Sequence, residues 1–575
     1  MKRLLSIMRR YLKESILGPL FKLLEATLEL LVPLVVAAII DTGVKNADAP
    51  YIVRMSLLLI GFSAVGLAFS ATAQYFAAKA SVGAVSELRH DLFAHLGKLS
   101  YAQIDKIGTA TMITRITSDA NQVQQGVNLT LRLLLRSPFV VFGAMIVAFT
   151  IDVPLALIFA LTIPVLSVIV FGIMLVSIPL YRKVQAKLDG VFRLTKENLA
   201  GARVLRAFCK EDEERREYLE TNNELTDRQT FVGRITALQN PLTYVIINLA
   251  IVALIWCGAI KVDGGALSQG AVVALYNLMG QILIELVKLA NLIVTITKSV
   301  ASANRIDAVF AITPDEGALE MPSPLEDEAL VRFEDASLTY PGAGECALSH
   351  ISFEAKRGQV VGIIGGTGSG KSTLVHMLSG FYAPTEGRVC LNGVDISQYP
   401  NAYLRKKIGI VMQKAVLFAG TVRENLCMNS TETSDEALYE ALRVAQADGV
   451  VRDKGGLDAR IEQGGRNLSG GQRQRISIAR TLASKPDILI LDDSASALDL
   501  ATDKALREAL KALKDTTMFI VSQRAASIMH ADLILTLDDG ELVGCGSHEE
   551  LLQSCEAYRE IYESQFGKGV CGNEA

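Results

Sequence analysis

Chemistry is concentrated in three short stretches of the 575-residue chain. The first is Gly365, Gly366, Thr367, Gly368, Ser369, Gly370, Lys371 and Ser372, with Thr373 following, in the spacing G-x-x-x-x-G-K-[ST]. A loop that wraps phosphates needs glycines, so that its amides can converge on the oxygens without side-chain clashes. Lys371 then supplies a point charge to the β- and γ-phosphates, and Ser372 a hydroxyl to Mg2+. The second is Asp492, a carboxylate closing the apolar run Ile488–Leu491, where P-loop enzymes anchor Mg2+ directly or through water. The third is Leu468, Ser469, Gly470, Gly471 and Gln472, in which a serine hydroxyl, two glycines and orphan amides precede a helix. Ser469 lies 98 residues beyond Lys371 and 23 before Asp492. Two phosphate cradles in one chain make sense if each serves a different nucleotide, shared across a dimer.

The elements that must hold these residues are legible around them. Val360–Ile364 reads as a buried strand running into the glycine loop, and Arg473–Ser484 as a helix after the second cradle. From Leu330 onward strand-like and helix-like runs alternate, as in an α/β domain. Upstream, the Pro- and acid-rich stretch Thr313–Glu328 reads as a linker. The predicted organisation is therefore a membrane domain over 1–312, a linker over 313–329 and an α/β P-loop domain over 330–575.

Composition supports that division. Half of the residues are hydrophobic and 21% are charged, which excludes a disordered chain, a collagen-like repeat or a small disulfide scaffold. Residues 1–313 carry 31 Lys+Arg against 23 Asp+Glu, a net of +8. The remainder carries 26 against 38, a net of −12, which brings the whole to −4. Neither half joins a basic excess to interleaved aromatics, so nucleic acid is not an expected partner. The eight cysteines show no metal-ligand spacing and read as free thiols or packing residues.

Six apolar stretches in the first half are long enough to cross a bilayer: Ile16–Ile40, Met55–Ala78, Leu133–Ile151, Val153–Leu180, Leu242–Ile260 and Ala271–Thr297. The third is the weakest, because Arg132 and Arg136 crowd its start. Met1–Lys13, Lys79–Arg136 and Arg182–Arg234 hold five, seven and twelve Lys/Arg, whereas the opposite loops hold only Lys45, Arg54 and Lys261. By the positive-inside rule both termini and both large loops face the cytosol, in a multi-pass protein of the plasma membrane. The large loops read as helical extensions interrupted at Gly108 and Gly201. In the sixth span Asn277, Gln281, Glu285, Lys288, Asn291 and Thr295 fall on one helical face and are candidates to line a substrate path. Mutual neutralisation of Glu285 and Lys288 is the plainer alternative, and Lys22, Glu25 and Glu29 on the first span fit a helix extension equally well.

On the glycine loop, LSGGQ and Asp492, the second half resembles the nucleotide-binding domain of an ATP-binding cassette (ABC) transporter, and the whole chain resembles an exporter-type half-transporter. The resemblance implies ATP and Mg2+ as cofactors, a second half-transporter and the lipid bilayer as partners, and a small amphipathic substrate. It implies that Tyr340 stacks on adenine, that Gln413 contacts Mg2+ and the membrane domain, and that Ser496, Ala497, Leu498 and Asp499 form the D-loop. It also implies that Glu462–Asn467 touches partner loops, and that Thr109–Thr117 and Gly201–Phe208 are coupling segments.

Two positions depart from the family pattern. The expected catalytic glutamate after Asp492 is Asp493, and the expected switch histidine is Gln523. Asp is one methylene shorter than Glu, and glutamine cannot carry the charge or proton of imidazole. Together they are similar to the degenerate subunit of heterodimeric bacterial multidrug-type exporters, as is the C-terminal run YREIYESQFG. The expected function is one subunit of an alternating-access exporter that binds ATP in a degenerate site and completes its partner's hydrolytic site with LSGGQ. An exporter-fold importer or lipid flippase, a regulatory subunit without hydrolysis, and a homodimer using Asp493 as base are the alternatives.

Overall fold

The computed structural model describes residues 2–314, 321–322, 329–428 and 433–567. Most of the linker stretch Thr313–Glu328 lies outside these residues. Two compact units emerge: Met1–His95 with Ala110–Ile312, and Leu96–Thr109 with Thr313–Ala575.

Among the described residues the first unit has six helices long and apolar enough to cross a membrane: Arg3–Val44, Ala49–Leu96, Thr109–Ile151, Val153–Ala200, Glu211–Asp263 and Gln269–Phe310. Each contains one of the six predicted spans. Several far exceed the roughly 20 residues that a hydrocarbon core requires, so the spans run on as helix into the predicted extensions. The third and fourth meet at Asp152, whose extended backbone (φ −157°, ψ 120°) and carboxylate cap the following helix through the Leu155 amide at 2.9 Å. Lys261, at the end of the fifth span, straps this hairpin by reaching both Asp152 oxygens at 2.6 and 2.8 Å.

The sixth span is the hub of the unit. Ala274, Leu275, Leu278, Met279, Ile282 and Leu286 are buried on it, against Val140, Ala144 and Phe159 of the third and fourth spans. Its start is tied to the first span, because the Gly270 amide donates to Asp41 at 2.8 Å. A Cβ at Gly270 would stand 2.3 Å from the Ala37 carbonyl oxygen, a backbone atom that cannot step aside. Gly270→Ala should therefore force the two helices apart and lower stability by roughly 1–3 kcal/mol, the usual cost of overpacking. Thermal unfolding in one detergent, compared with wild type, measures it.

The predicted polar face of the sixth span divides into two environments. Glu285 is buried, and its carboxylate accepts from Arg136 at 2.6 Å, Ser137 at 2.8 Å and Lys288 at 2.9 Å. Arg136 also reaches Glu29 at 2.5 Å. Lys288 and Asn291 are exposed, whereas Asn277 and Thr295 bond carbonyls of their own helix and the Gln281 amide oxygen is buried without a partner. The Glu285–Lys288 contact was legible from their spacing. The closer partner, Arg136, lies 149 residues away and explains how so charged a start to the third span is tolerated. Lys22 is likewise buried, donating to Glu25 at 2.5 Å and to Ser70 of the second span at 3.1 Å, so it belongs to the bundle.

The second unit is built on two sheets. β1 (Ala329–Leu338), β2 (Leu348–Lys356), β4 (Glu386–Leu391) and β5 (Val394–Asp395) form an antiparallel sheet in the order β2-β1-β4-β5. β3 (Val360–Gly365), β6 (Ile408–Val411), β9 (Ile488–Asp492), β10 (Thr517–Val521) and β11 (Leu533–Asp538) run parallel, with β12 (Glu541–Gly546) antiparallel at the edge, in the order β12-β11-β3-β10-β9-β6. The short pair β7 (Gly420–Thr421) and β8 (Arg460–Ile461) stands apart. Val361, Ile363, Ile488, Ile490 and Phe519 are fully buried, as expected of parallel strands covered on both faces.

Leu96–Thr109 belongs to this unit although its sequence falls in the membrane half. Ser100 and Gln103 form a capping box that opens the helix Tyr101–Ile107, and Gly108 at φ 79° closes it. Tyr101 stacks on Phe381 with centroids 4.8 Å apart, and Asp105 accepts a hydrogen bond from the Tyr382 phenol. This corrects the expectation of a cassette contact at Thr109–Thr117. The docked helix lies one step upstream, and residues 110–117 begin the third span's helical run. Around Gly201 the expected break is present, with a short helix over Ala202–Ala207 that carries exposed Val204 and is flanked by exposed Leu199 and Phe208.

Candidate nucleotide site

The cleft forms where parallel strands deliver their C-terminal ends side by side. β3 runs into the glycine loop, and Gly368 and Gly370 take the left-handed conformation (φ 88° and 93°) that the turn requires. A Cβ at Gly370 would lie 2.9 Å from the Ala347 carbonyl oxygen and 2.5 Å from the Leu348 side chain. Register sets the next groups. Val521 at the end of β10 pairs with Asp492 at the end of β9, so Asp492, Asp493 and Gln523 emerge together. They line one cleft of about 500 Å³ with Tyr340, Lys371, Ser372, Thr373 and Gln413. Cys346, Asp539 and Gly540 line it too, and no motif marked them in the sequence.

Lys371 curls back on its own loop, bonding the Gly365 and Gly366 carbonyls at 3.0 and 2.5 Å. Burial lowers its ammonium below the usual lysine range, and the Asp493 and Asp492 carboxylates act against that. Ser372 donates to Asp492 at 3.0 Å. Burial pushes the Asp492 carboxyl above the ordinary carboxylate range, and the Ser372 bond offsets part of the rise. A buried carboxylate beside a hydroxyl, next to an amide-lined loop, is a donor set suited to a hard cation completed by phosphate and water. Tyr340 presents its ring at the cleft, its hydroxyl 3.1 Å from Thr373 and its edge against Tyr382, 5.0 Å between centroids.

Asp493 sits in the left-handed region at φ 45°, a conformation uncommon for a residue with a side chain. Its amide donates to the Val521 carbonyl at 3.1 Å, and its carboxylate accepts from the Gln413 amide at 3.2 Å. Its carbonyl accepts from the Ser496 hydroxyl at 2.8 Å, tying it to the start of Ser496–Asp499. Asp499 then caps the helix Leu500–Leu510 through the Thr502 amide.

Among the described residues lining the cleft, none comes from Leu468–Gln472. Ser469 caps the helix Gly470–Ala483, and Gln472 returns a bond to the Ser469 amide at 3.0 Å. Leu468 is buried, Gly470 faces open space, and a Cβ at Gly471 would stand 3.1 Å from the Ala497 carbonyl oxygen. Leu468–Gln472 thus forms a capped helix start outside the lining of the chain's own cleft.

Comparison with known proteins places this geometry. The profile described as "ABC transporter transmembrane region" matches residues 15–286, and the profile "ABC transporter" matches residues 348–496. An uncharacterized ABC transporter ATP-binding protein of Mycobacterium bovis is 34% identical over 559 residues, covering 96% of each chain. The chain belongs to the ABC transporter family. A second ABC transporter ATP-binding protein, from Bacillus subtilis, is 33% identical over 99% of both chains. An ATP-dependent lipid A-core flippase of Vibrio vulnificus is 27% identical over 99% of this ABC chain and 98% of its own. The solved structure of a bacterial Atm1-family ABC exporter with ATP bound superposes with a TM-score of 0.78 at 23% identity, covering 99% of this chain and all of the other. The ABC chain therefore has the half-transporter architecture of the exporter type, a six-span membrane domain fused to one ATP-binding cassette.

Proposed function

We propose that this chain is one subunit of a heterodimeric, ATP-driven exporter of the plasma membrane with cytosolic termini, and that its own cleft is the slow member of two unequal nucleotide sites. The observation that carries the reading is the pair Asp493 and Gln523 at the mouth of an otherwise complete cleft. Tyr340 offers an aromatic face to adenine, the 365–370 amides and Lys371 receive the phosphates, and Ser372, Asp492 and Gln413 face the position of Mg2+. When bound, the metal would neutralise phosphate charge. The Asp493 carboxylate, one methylene short and held by Gln413, is poorly placed to take a proton from water, and Gln523 cannot hold one. Ser469–Gln472, which do not line this cleft, would close over the nucleotide of the second subunit and complete the faster site. Closure of the cassette pair would drive the docked helix Tyr101–Ile107 and the segment Gly201–Phe208, and through them alternating access.

The sixth-span residues Asn277, Gln281, Lys288, Asn291 and Thr295 remain candidates to line the path of a small amphipathic substrate, with Glu285 holding the bundle rather than the cargo. Movement of lipid is a second reading, favoured by the similarity to the Vibrio vulnificus flippase.

The decisive experiment is ATP turnover in lipid bilayers by the chain alone and with a second half-transporter encoded beside it. Little turnover alone and robust turnover together is the expected outcome. Full turnover by the chain alone would overturn the heterodimer.

A further inference from the structure

The C-terminal helix Glu556–Phe566 has no assigned part in nucleotide chemistry, yet it grips the cleft's most unusual segment. From its last turn the Gln565 amide nitrogen donates to the Gln523 carbonyl at 2.8 Å, and the Gln565 amide oxygen accepts from the Ala525 amide at 2.8 Å. One planar carboxamide thus satisfies a backbone acceptor and a backbone donor two residues apart, which fixes both the place and the tilt of the intervening peptides. Reversing the amide would set donor against donor and acceptor against acceptor, so the network determines its orientation.

The grip is rigid at its root. Tyr558, on the same helix, is fully buried and its hydroxyl lies 2.7 Å from His548. It packs with Ala525, Ile528 and Ile364, the last being the residue that leads into Gly365. From the other side Arg507 donates to the Ala526 carbonyl at 2.6 Å and is paired with buried Asp503 at 3.0 Å. Ser522 is anchored to the Ile363 carbonyl at 3.0 Å. The backbone around Gln523 is therefore held from three directions, at a residue that lines the cleft with Asp492 and Asp493.

We propose that Gln565 is a positioning residue for this switch segment: the C-terminal helix sets where Gln523 stands in the cleft, and so how well the site distinguishes a triphosphate from a diphosphate. This rests on the reading of the cleft as a nucleotide site. The strand register places Gln523 at the Asp492 end of the cleft, where metal and terminal phosphate belong. A displaced switch would therefore weaken contact with the third phosphate and leave the adenine and the first two phosphates as they were.

The test is equilibrium binding to the full-length chain in lipid nanodiscs, using Mg-AMP-PNP and Mg-ADP as probes. Gln565→Met keeps the length and loses both bonds; Gln565→Glu keeps the acceptor and loses the donor. Gln565 is exposed, so neither change opens a cavity. Gln565→Met should weaken AMP-PNP about tenfold and shift ADP less than about twofold, with Gln565→Glu between wild type and Met. Unchanged AMP-PNP binding, or equal weakening of both nucleotides, overturns the proposal. If Gln565→Met does not fold, Gln565→Glu decides by the same comparison. Lys371→Ala separates the two ideas: wild-type binding indifferent to it overturns the nucleotide site itself, and the positioning role with it.

Discussion

If the chain works in the proposed heterodimer, Asp493→Asn in the assembled transporter should leave ATP turnover within about threefold of wild type, whereas Glu→Gln at the matching position of the partner chain should lower it by on the order of 10²–10⁴. The asymmetry follows from reach and from partners. Shortening Glu to Asp withdraws the carboxylate by about one C–C bond, ~1.5 Å, and misplacement on that scale is enough to cost about two orders of magnitude in rate. The Asp493 carboxylate is in addition engaged by Gln413 at 3.2 Å, and Gln523 offers no proton-carrying group beside it. Removing a charge that contributes little to turnover removes little. The converse experiment is equally informative: Asp493→Glu with Gln523→His should raise the hydrolysis supported by this chain's own cleft. Steady-state phosphate release from the complex, with each of the three variants prepared separately, measures all three effects. A large loss with Asp493→Asn would show that this carboxylate is the working base.

The second large effect lies in the membrane unit. Arg136→Met should destabilise the fold by about 3–5 kcal/mol, because it leaves a charge buried without its partner. Arg136 and Glu285 have side-chain exposures of 7% and 4%, and Glu285 would retain only Ser137 and the half-exposed Lys288. Replacing both, as Arg136→Met with Glu285→Met, should recover most of the loss, since two apolar chains need no compensation. Glu29→Gln should cost about 1 kcal/mol or less, because that carboxylate is itself 42% exposed. Unfolding midpoints of the three variants and wild type in one detergent test the order. A double variant no better than Arg136→Met alone would mean that the pair is not the origin of the loss.

The nucleotide cleft was legible because its parts are local strings. The glycine loop follows its strand directly, Asp492 ends a four-residue apolar run, and the spacing of Ser469 between them is fixed by the α/β core. The six spans were equally plain, since apolar length is a one-dimensional property. What escaped was pairing across distance. Periodicity placed Glu285 on a face without saying which helix that face meets, so Arg136 stood out only as an awkward charge at the start of a span. Gln565 lay in a recognised C-terminal run but carried no signal of its contact with Gln523, 42 residues upstream. The docked helix was misplaced for a different reason. Gly108 was read as an interruption ahead of the coupling segment Thr109–Thr117, whereas it is the stop of the helix opened by Ser100 and Gln103, a capping box that the sequence contained.

The backbone route from Asp493 to Gly471 is only a few residues long: the Asp493 carbonyl holds Ser496, and Ala497 next to it abuts Gly471 at the distance of a missing methyl. On the heterodimer reading, the first residue belongs to the slow site and the last to the fast one. Selection would then see every change in Asp493–Asp499 through the partner's turnover, whatever the local rate of hydrolysis. A subunit can in this way lose its glutamate and its histidine over evolutionary time and still be barred from losing the stretch that joins them to its signature.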